Sequence, residues 1–280
     1  MLPFFAEIRL INRPKKSLGQ HFLTDAKTIE KIISIAGFSS SDQVLEIGPG
    51  RGALTIPLAE KVKAVVAVEK DEDLVRRLEE RLVREGINNV NLIADDILRW
   101  NFKEMPSVSG RFHVIGNLPY NISKPVLEKL VNNRERLGRA VLMLQKEVAN
   151  RVAAAPGGKE YGAMSVLIRY HARAASMLQV GKEVFSPRPA VDSTVVELDF
   201  ERPWPLRSSR DELFTRVVKG SFSHRRKTIL NSLRGYFPAM DREVLTSVLE
   251  RSGIDPSARG ETLSINEFLT LTAIMDLTIS

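Results

Sequence analysis

The four residues Asn117-Leu118-Pro119-Tyr120 form a pattern suited to chemistry on the amino group of a planar base. The amino nitrogen of adenine is a poor nucleophile because its lone pair is delocalised into the ring. If the Asn117 side-chain oxygen and the Leu118 carbonyl accept its N–H bonds, that nitrogen is oriented and polarised towards an electrophilic methyl group. Pro119 would fix the direction of the carbonyl, and Tyr120 would stack on the base, a contact worth ~1–3 kcal/mol. Asn and Pro are also common in ordinary turns, so a purely structural turn is the alternative.

A glycine-rich turn earlier in the chain indicates a second reactant. Gly48, Gly50 and Gly52 follow the short apolar segment Val44–Ile47, and glycines let a backbone turn sharply and approach a ligand closely. Glu69 ends the next apolar segment, about twenty residues after the first glycine, where nucleotide-binding folds place an acid that binds ribose hydroxyls. The sequence therefore predicts a cofactor that contains a nucleoside.

The spacing and charge of this turn favour S-adenosylmethionine over a dinucleotide. G-x-G-x-G differs from the G-x-G-x-x-G that brings a pyrophosphate onto a helix start, and the Glu46 carboxylate would repel a phosphate at short range. S-adenosylmethionine carries a sulfonium and an amino group but no phosphate. A structural turn and a nicotinamide oxidoreductase are the alternatives, although an oxidoreductase leaves the Asn117–Tyr120 pattern unexplained.

Two further residues are candidates for the same site. Asp96 follows a third apolar segment, where its carboxylate could accept a hydrogen bond from an adenine amino group; a helix cap is the alternative. Phe185 begins a stretch with two prolines, Phe185–Ser193, and a stiff backbone there would hold its ring against the face of a base opposite Tyr120. Considered alone, a residue such as Phe185 is more often a packing residue, and it is the pairing with Tyr120 that favours contact with a base.

Strands and helices that alternate along the chain are expected to position these residues. Apolar segments of strand length alternate with amphipathic helices such as Asp71–Glu85, which predicts an α/β fold with a doubly wound, mostly parallel, Rossmann-like sheet. Residues 1–202 are predicted to form the methyltransferase domain, including a basic N-terminal arm, and residues 203–280 a small helical domain that contacts RNA. The helices predicted in that second domain are Asp211–Leu233, Asp241–Ser252 and Ser264–Leu277.

Composition narrows the class of protein. The 280 residues have a formal net charge of +7, which favours a polyanionic partner. Six basic and no acidic residues lie between Leu213 and Met240, and Arg9, Arg13, Lys15 and Lys16 form the N-terminal arm; both stretches are expected to face RNA or, alternatively, solvent. The chain has no cysteine, which fits a reducing cytoplasm. We expect no metal, no membrane span and a monomer.

The chain resembles the ribosomal RNA adenine N6-dimethyltransferase family of the KsgA type over nearly its whole length. The segments that carry the resemblance are Lys16–Leu23, Glu46–Gly52, Glu69, Asp96, Asn117–Tyr120 and Phe185–Ser193. The resemblance implies that S-adenosylmethionine is the methyl donor and that the family methylates two adjacent adenosines near the 3′ end of small-subunit ribosomal RNA, twice each, late in subunit assembly. No metal is implied.

Carried over position by position, the family pattern implies two groups of site residues. The cofactor site would be lined by His21, Leu23, Glu46, Gly48, Gly50, Glu69, Asp96 and Asn117. The target base would be held by Asn117, Leu118, Pro119 and Tyr120, with Phe185 opposite. His21 stands where many members of the family have Asn.

Two alternatives share parts of this pattern. Enzymes that methylate large-subunit RNA and confer macrolide resistance have the same catalytic motifs, but Gly235–Phe237 and Arg259–Ser264 look more like the small-subunit type. A non-enzymatic RNA-binding assembly factor would also be basic. If the protein were such a factor, Asn117→Ala would leave its function in cells intact.

Overall fold

A seven-stranded sheet forms the framework of the first part of the chain. The computed structural model describes residues 15, 18–106 and 110–279. The strands of this sheet are β2 (Gln43–Ile47), β3 (Ala64–Glu69), β4 (Val90–Ala94), β5 (Phe112–Asn117), β6 (Leu137–Gln145), β7 (Arg173–Val180) and β9 (Ser193–Asp199). Their order in the sheet is β4-β3-β2-β5-β6-β9-β7. The first five strands of this order run parallel, and β9 is antiparallel to β6.

The central strands form because their side chains are almost all aliphatic. Val44, Leu45 and Ile47 of β2 are buried, as expected for a parallel strand covered on both faces. In the register of the sheet, Leu45 lies beside Val66 of β3 on one side and Val114 of β5 on the other. The sheet is thereby held by a continuous apolar centre.

Helices connect the parallel strands. The connecting helices are Thr55–Ala59, Glu72–Glu85 and Ser123–Asn132, whereas Ala26–Ala36 precedes β2 and Lys146–Ala153 follows β6. In the helix after β3, the Asp71 side chain accepts from the Asp73 amide as N-cap, and Gly86, at φ +70°, ends the helix, as capping preferences require. Its apolar face buries Leu78 and Leu82. The predicted α/β fold class with a mostly parallel sheet is confirmed.

The contacts between residues divide the chain into two units. One contains residues up to 149 together with Ala175–Glu201, and the other contains Asn150–Ala174 together with Arg202–Ser280. The second unit thus includes residues 150–174, which the sequence-based division placed in the first domain. The physical reason is visible at Tyr170, whose ring lies 4.2 Å from that of Phe214 and whose hydroxyl donates to Asp211 at 2.6 Å.

The second unit is helical around its own apolar core. Its helices from residue 163 onwards are Ala163–His171, Asp211–Ser221, Ile229–Tyr236, Arg242–Arg251 and Ile265–Ile279. The predicted single helix Asp211–Leu233 is wrong, because it is interrupted after Ser221 and resumes at Ile229. The interruption holds three consecutive cations, Arg225 to Lys227, and Thr228 restarts the helix by accepting from the Asn231 amide, as an N-cap does.

Of the predicted basic N-terminal arm, Arg9, Arg13 and Lys16 lie outside the described residues. Lys15 is described, and its ammonium lies 2.6 Å from Asp71 Oδ1. This ion pair raises the pKa of Lys15 and lowers that of Asp71.

Candidate active site

The strand order reverses between β2 and β5, and both strands deliver their carboxyl ends to the same edge of the sheet. The glycine-rich turn follows β2, and β5 ends at Asn117. Ligands of open α/β sheets bind in the crevice at such a reversal. The fold therefore brings the two motifs singled out from the sequence next to one another.

The glycine-rich turn needs its glycines for conformation and for close approach. Gly50 has φ +57°, and a Cβ there would lie 3.2 Å from the ring of Phe22. Gly52 has φ +82°, and a Cβ would lie 2.4 Å from Leu78 Cδ1. The turn is thus packed on one side by an aromatic ring and on the other by the helix after β3.

The Glu69 carboxylate is fixed by two backbone amides. Gly50 N donates to Oε2 at 3.0 Å, and Asp71 N donates to Oε1 at 2.9 Å. Burial raises the pKa of Glu69. The turn after β2 and the end of β3 are therefore joined through one carboxylate whose remaining lone pairs are available as acceptors.

Glu46 is an acid inside the sheet, only 1% exposed. Burial raises its pKa to about 8, and the nearby charge of Glu69 acts in the same direction. Within the part of the chain that the structure describes, its Oε2 atom is buried without a hydrogen-bond partner. A buried carboxyl with a free oxygen is costly unless a donor or a positive charge is brought to it.

Asp96 is held ionised at the end of β4. Its Oδ2 lies 2.8 Å from the ammonium of Lys70, and its Oδ1 accepts from the Leu98 amide at 3.0 Å. The hydrogen bond from Lys70 is the largest cause that lowers the pKa of Asp96. Lys70 was missed in the sequence; its position directly after Glu69 was the available signal.

In the Asn117-Leu118-Pro119-Tyr120 segment, two N–H groups donate hydrogen bonds within the protein, and two oxygen atoms remain as acceptors for a ligand. Asn117 Nδ2 donates to the His21 carbonyl at 2.9 Å, and Leu118 N donates to Met143 O at 3.1 Å. The Asn117 side-chain oxygen is thereby turned away from His21. Among the described residues, no hydrogen bond reaches the Leu118 carbonyl. These are the two acceptors that the sequence pattern requires.

A two-stranded antiparallel sheet of β1 (Phe22–Leu23) and β8 (Phe185–Ser186) forms a wall of the site. Leu23 lies opposite Phe185 in the register, and both side chains are buried. Thr24 continues the contact through its amide and its hydroxyl, which both donate to Val184 O. Phe185 is therefore a packed residue of this wall as well as a lining residue of the cavity.

Next to this wall, the ring of His21 stacks on that of Tyr120. Their centroids are 5.5 Å apart with an interplanar angle of 30°. His21 Nδ1 lies 2.7 Å from Pro187 O, in the segment that follows a cis Ser186-Pro187 bond. The Tyr120 hydroxyl lies 3.5 Å from Ser193 Oγ.

A cavity of about 170 Å³ joins these features within the first unit. The predicted site residues that line it are His21, Leu23, Glu46, Gly48, Gly50, Glu69, Asp96, Asn117, Leu118, Pro119, Tyr120 and Phe185. The structure thus brings every one of them together. Phe22, Lys70 and Asn121 also line the cavity and were not singled out from the sequence.

Comparison with known proteins assigns the chain to a family. The family described as "Ribosomal RNA adenine dimethylase" matches residues 11–276. The chain belongs to this family. The "Ribosomal RNA small subunit methyltransferase A" of Desulforapulum autotrophicum is 46% identical over 92% of this chain and 90% of its own length. The protein of the same name from Moorella thermoacetica is 42% identical over 92% and 91%.

Solved structures agree with this rRNA adenine dimethylase fold. A dimethyladenosine transferase from Plasmodium falciparum superposes with a TM-score of 0.74 at 28% identity, covering 89% of this chain and 95% of that one. The 23S rRNA methyltransferase ErmE superposes with a TM-score of 0.69 at 25% identity, covering 91% and 99%. The predicted family, the predicted enzyme class and the predicted activity on rRNA adenines are confirmed, and the oxidoreductase alternative is excluded.

The part of this dimethylase that the structure describes contains neither a membrane-spanning helix nor a metal-ligand cluster. Among residues 15, 18–106 and 110–279, no helix is long and apolar enough to cross a membrane. No group of three or more His, Cys, Asp or Glu side chains suited to a metal ion occurs in the same part of the chain.

Proposed function

We propose that this protein dimethylates the N6 amino groups of two adjacent adenosines near the 3′ end of small-subunit rRNA, within an immature subunit in the cytoplasm. S-adenosylmethionine is the proposed methyl donor, and the protein acts as a monomer without a metal. The observation that carries the proposal is the arrangement at Asn117, whose amide nitrogen is held by the His21 carbonyl. Its oxygen is therefore left to accept from a substrate amino group.

The donor end of the cavity fits a positively charged nucleoside. Glu69 is held by two amides with acceptor capacity to spare, which suits the two hydroxyls of a ribose. Among the described residues, Glu46 adds a buried oxygen without a partner. Burial keeps this carboxyl protonated in the free protein, and a sulfonium and an amino group placed beside it would favour its ionised form. Asp96, ionised beside Lys70, is the proposed acceptor for the adenine amino group of the donor.

The acceptor end would hold the target adenine outside its RNA helix. Asn117 Oδ1 and the Leu118 carbonyl accept from the N6 amino group and direct its lone pair, while Pro119 fixes the direction of the carbonyl. Tyr120 supports one face of the base, and Phe185 is proposed for the opposite face. These contacts work by position and electrostatics, which are the main sources of rate in such reactions.

When bound, the donor supplies an electrophilic methyl group on sulfur. The N6 lone pair forms the new N–C bond as the C–S bond breaks, so that sulfur becomes a neutral thioether. The N6 proton that becomes acidic passes to water. In this scheme no residue of the chain acts as a dedicated base, and a second round repeats the same step on the monomethylated amine.

We propose the second unit as the main RNA contact, independently of the catalytic chemistry. Arg225, Arg226 and Lys227 form the interruption between two helices and are exposed. Arg225 is tied to the backbone of Lys159 and lies 3.6 Å from Glu261. Arg226 and Lys227 are therefore the cations of this segment best suited to phosphates.

The experiment that tests the proposal is transfer of labelled methyl groups from S-adenosylmethionine to three substrates. These are small subunits that lack the modification, large subunits, and naked RNA of each kind, followed by nucleoside analysis of the product. We expect dimethyladenosine on small subunits only, and its loss with Asn117→Ala while RNA binding is retained.

Each other outcome has a definite meaning. Label on naked large-subunit RNA would assign the protein to the resistance type, which shares the fold of the 23S rRNA methyltransferase ErmE. Unchanged methylation by Asn117→Ala would contradict the proposed acceptor site. No label on any substrate would favour an RNA-binding assembly factor.

A further inference from the structure

His21 connects three separate parts of the acceptor end of the cavity. Its carbonyl accepts from Asn117 Nδ2 at 2.9 Å, its Nδ1 lies 2.7 Å from Pro187 O, and its ring stacks on Tyr120 at 5.5 Å. The three partners come from the end of β5, from the loop after it, and from the segment after β8. One residue therefore contacts the two main candidates for binding the target base and a wall of the cavity.

The hydrogen bond to Pro187 fixes the orientation of the imidazole. A carbonyl oxygen only accepts, so Nδ1 must carry the proton and donate it. The ring is thereby held at two points, by this hydrogen bond and by the backbone of the two-stranded sheet that begins at Phe22. An imidazole restrained in this way offers Tyr120 a rigid partner rather than a mobile one.

We infer that His21 is a positioning residue for the target adenine: its fixed ring holds the Tyr120 ring in the orientation that receives the base. The inference rests on the proposed function of this site, and it gives the His21 side chain a role towards the base rather than towards the methyl donor. A ring that is already ordered loses little freedom when the base arrives. The effect is therefore expected mainly in KM for the subunit substrate, with a smaller effect on kcat.

Three substitutions separate the two contacts of the side chain. His21→Phe keeps a ring against Tyr120 but loses the donor to Pro187. His21→Asn keeps a nitrogen donor near the place of Nδ1 but has no ring. His21→Ala loses both. Since the stack does the positioning, we expect Asn and Ala to raise KM about fivefold to tenfold, which lies in the upper part of the roughly twofold to thirteenfold range for an aromatic pair, and Phe to raise it about twofold.

Thr24→Ala is the matched control. The Thr24 hydroxyl donates to Val184 O at 3.0 Å, so the substitution removes one side-chain hydrogen bond between the same two segments without touching Tyr120 or Asn117. We expect its KM to stay within about twofold of the wild type. If Thr24→Ala and His21→Ala are equally impaired, His21 only ties the two segments together and the inference is wrong.

A double-mutant cycle with Tyr120→Leu tests whether the effect passes through the Tyr120 ring. In that background we expect His21→Ala to change KM by less than about twofold, because its stacking partner is gone. An undiminished fivefold effect would contradict the inference. Calorimetry with S-adenosylhomocysteine completes the test: affinity within about twofold of wild type is expected for His21→Ala, and a tenfold loss would assign the side chain to the donor site instead.

A measurement on the Tyr120 ring that does not depend on methyl transfer tests the positioning role of His21 separately from the proposed function. Fluorotyrosine placed at position 120 reports the surroundings of that ring through its fluorine resonance. We expect the resonance to shift in His21→Ala and His21→Asn, and to stay in place in Thr24→Ala. A resonance unaffected by His21→Ala would refute the positioning role even if methyl transfer proceeds as proposed, whereas an inactive wild-type protein with the expected shifts would refute only the proposed function.

Discussion

Replacing Glu46 with glutamine should flatten the dependence of stability on pH. The carboxyl is buried in β2, and its pKa is raised from 4.5 to about 8, mainly by burial. Between these values the native state keeps a proton that the unfolded chain has already released. The free energy of unfolding therefore falls as pH rises through this window, and the stability associated with the protonated acid is lost above the native pKa.

The expected change in the free energy of unfolding follows from the difference between the native and unfolded pKa values of Glu46. Each pKa unit corresponds to about 1.36 kcal/mol, and integration between about pH 5.5 and about pH 8 gives a loss of about 3 kcal/mol from this one group. Glutamine cannot ionise, so this part of the slope disappears in the variant. Its amide brings a donor that also needs a partner, which costs about 1–3 kcal/mol at every pH. The informative quantity is therefore the slope and not the stability at one pH.

The assay is urea unfolding followed by tryptophan fluorescence. The chain has two tryptophans, Trp100 and Trp204, and Trp100 lies buried in the first unit with Glu46. In a Trp204→Phe background the signal comes from that unit alone. We expect the stability difference between wild type and Glu46→Gln to change by about 3 kcal/mol from pH 5.5 to pH 8. A difference that is constant with pH would refute the reasoning that burial keeps Glu46 protonated.

Three further changes have expected outcomes. Asn117→Ala should lower single-turnover methyl transfer by about 10²–10³-fold, the effect of removing one electrostatic contact to the reacting group, with RNA affinity in a filter-binding assay unchanged; equal losses in both would mean that the residue only shapes the RNA site. Gly52→Ala should lower the urea-unfolding free energy by about 2–4 kcal/mol, of which about 1–3 kcal/mol comes from the contact of its Cβ with a leucine methyl group and about 1 kcal/mol from its left-handed backbone. Gly86→Ala has a left-handed backbone too but nothing within 4 Å of its Cβ, so it should lose only about 1 kcal/mol; equal losses would remove the steric argument. Replacing Arg226 and Lys227 by Ala should reduce the slope of log affinity against log salt for RNA by about 0.7–0.9 per residue, and an unchanged slope would show that the segment does not contact phosphates.

The sheet and the glycine-rich turn were predictable because their signals are local. Strands β2 and β3 are short aliphatic runs, and the turn requires left-handed backbone at Gly50 and Gly52. The placement of Asn117 beside that turn also followed, since parallel strands deliver their carboxyl ends to one edge. Composition and order along the chain are sufficient for such features.

The features that were not predicted depend on contacts between distant residues. The stack of His21 on Tyr120 joins residues far apart in sequence, and nothing near either residue indicates it. The same is true of the Lys70–Asp96 pair and of the packing of Tyr170 on Phe214 that groups residues 150–174 with the second unit. The missed interruption near Arg225 had a local signal, namely three adjacent cations followed by a Thr cap, but the apolar periodicity on either side outweighed it.

The pairing of β1 with β8 also has a consequence for how the protein is made. Thr24 and Val184 are 160 residues apart, so on a translating ribosome the glycine-rich turn and Asn117 are synthesised well before the partner of β1 exists. At 5–20 residues per second, roughly 8–30 s separate the synthesis of Thr24 from that of Val184, and roughly 3–14 s separate Asn117 from Phe185. Closing so long a loop adds little entropy cost beyond that of a shorter one, so the delay is set by synthesis. A nascent chain therefore carries the Asn117–Tyr120 segment without the wall beside it, and the cavity is completed only when the first unit is finished.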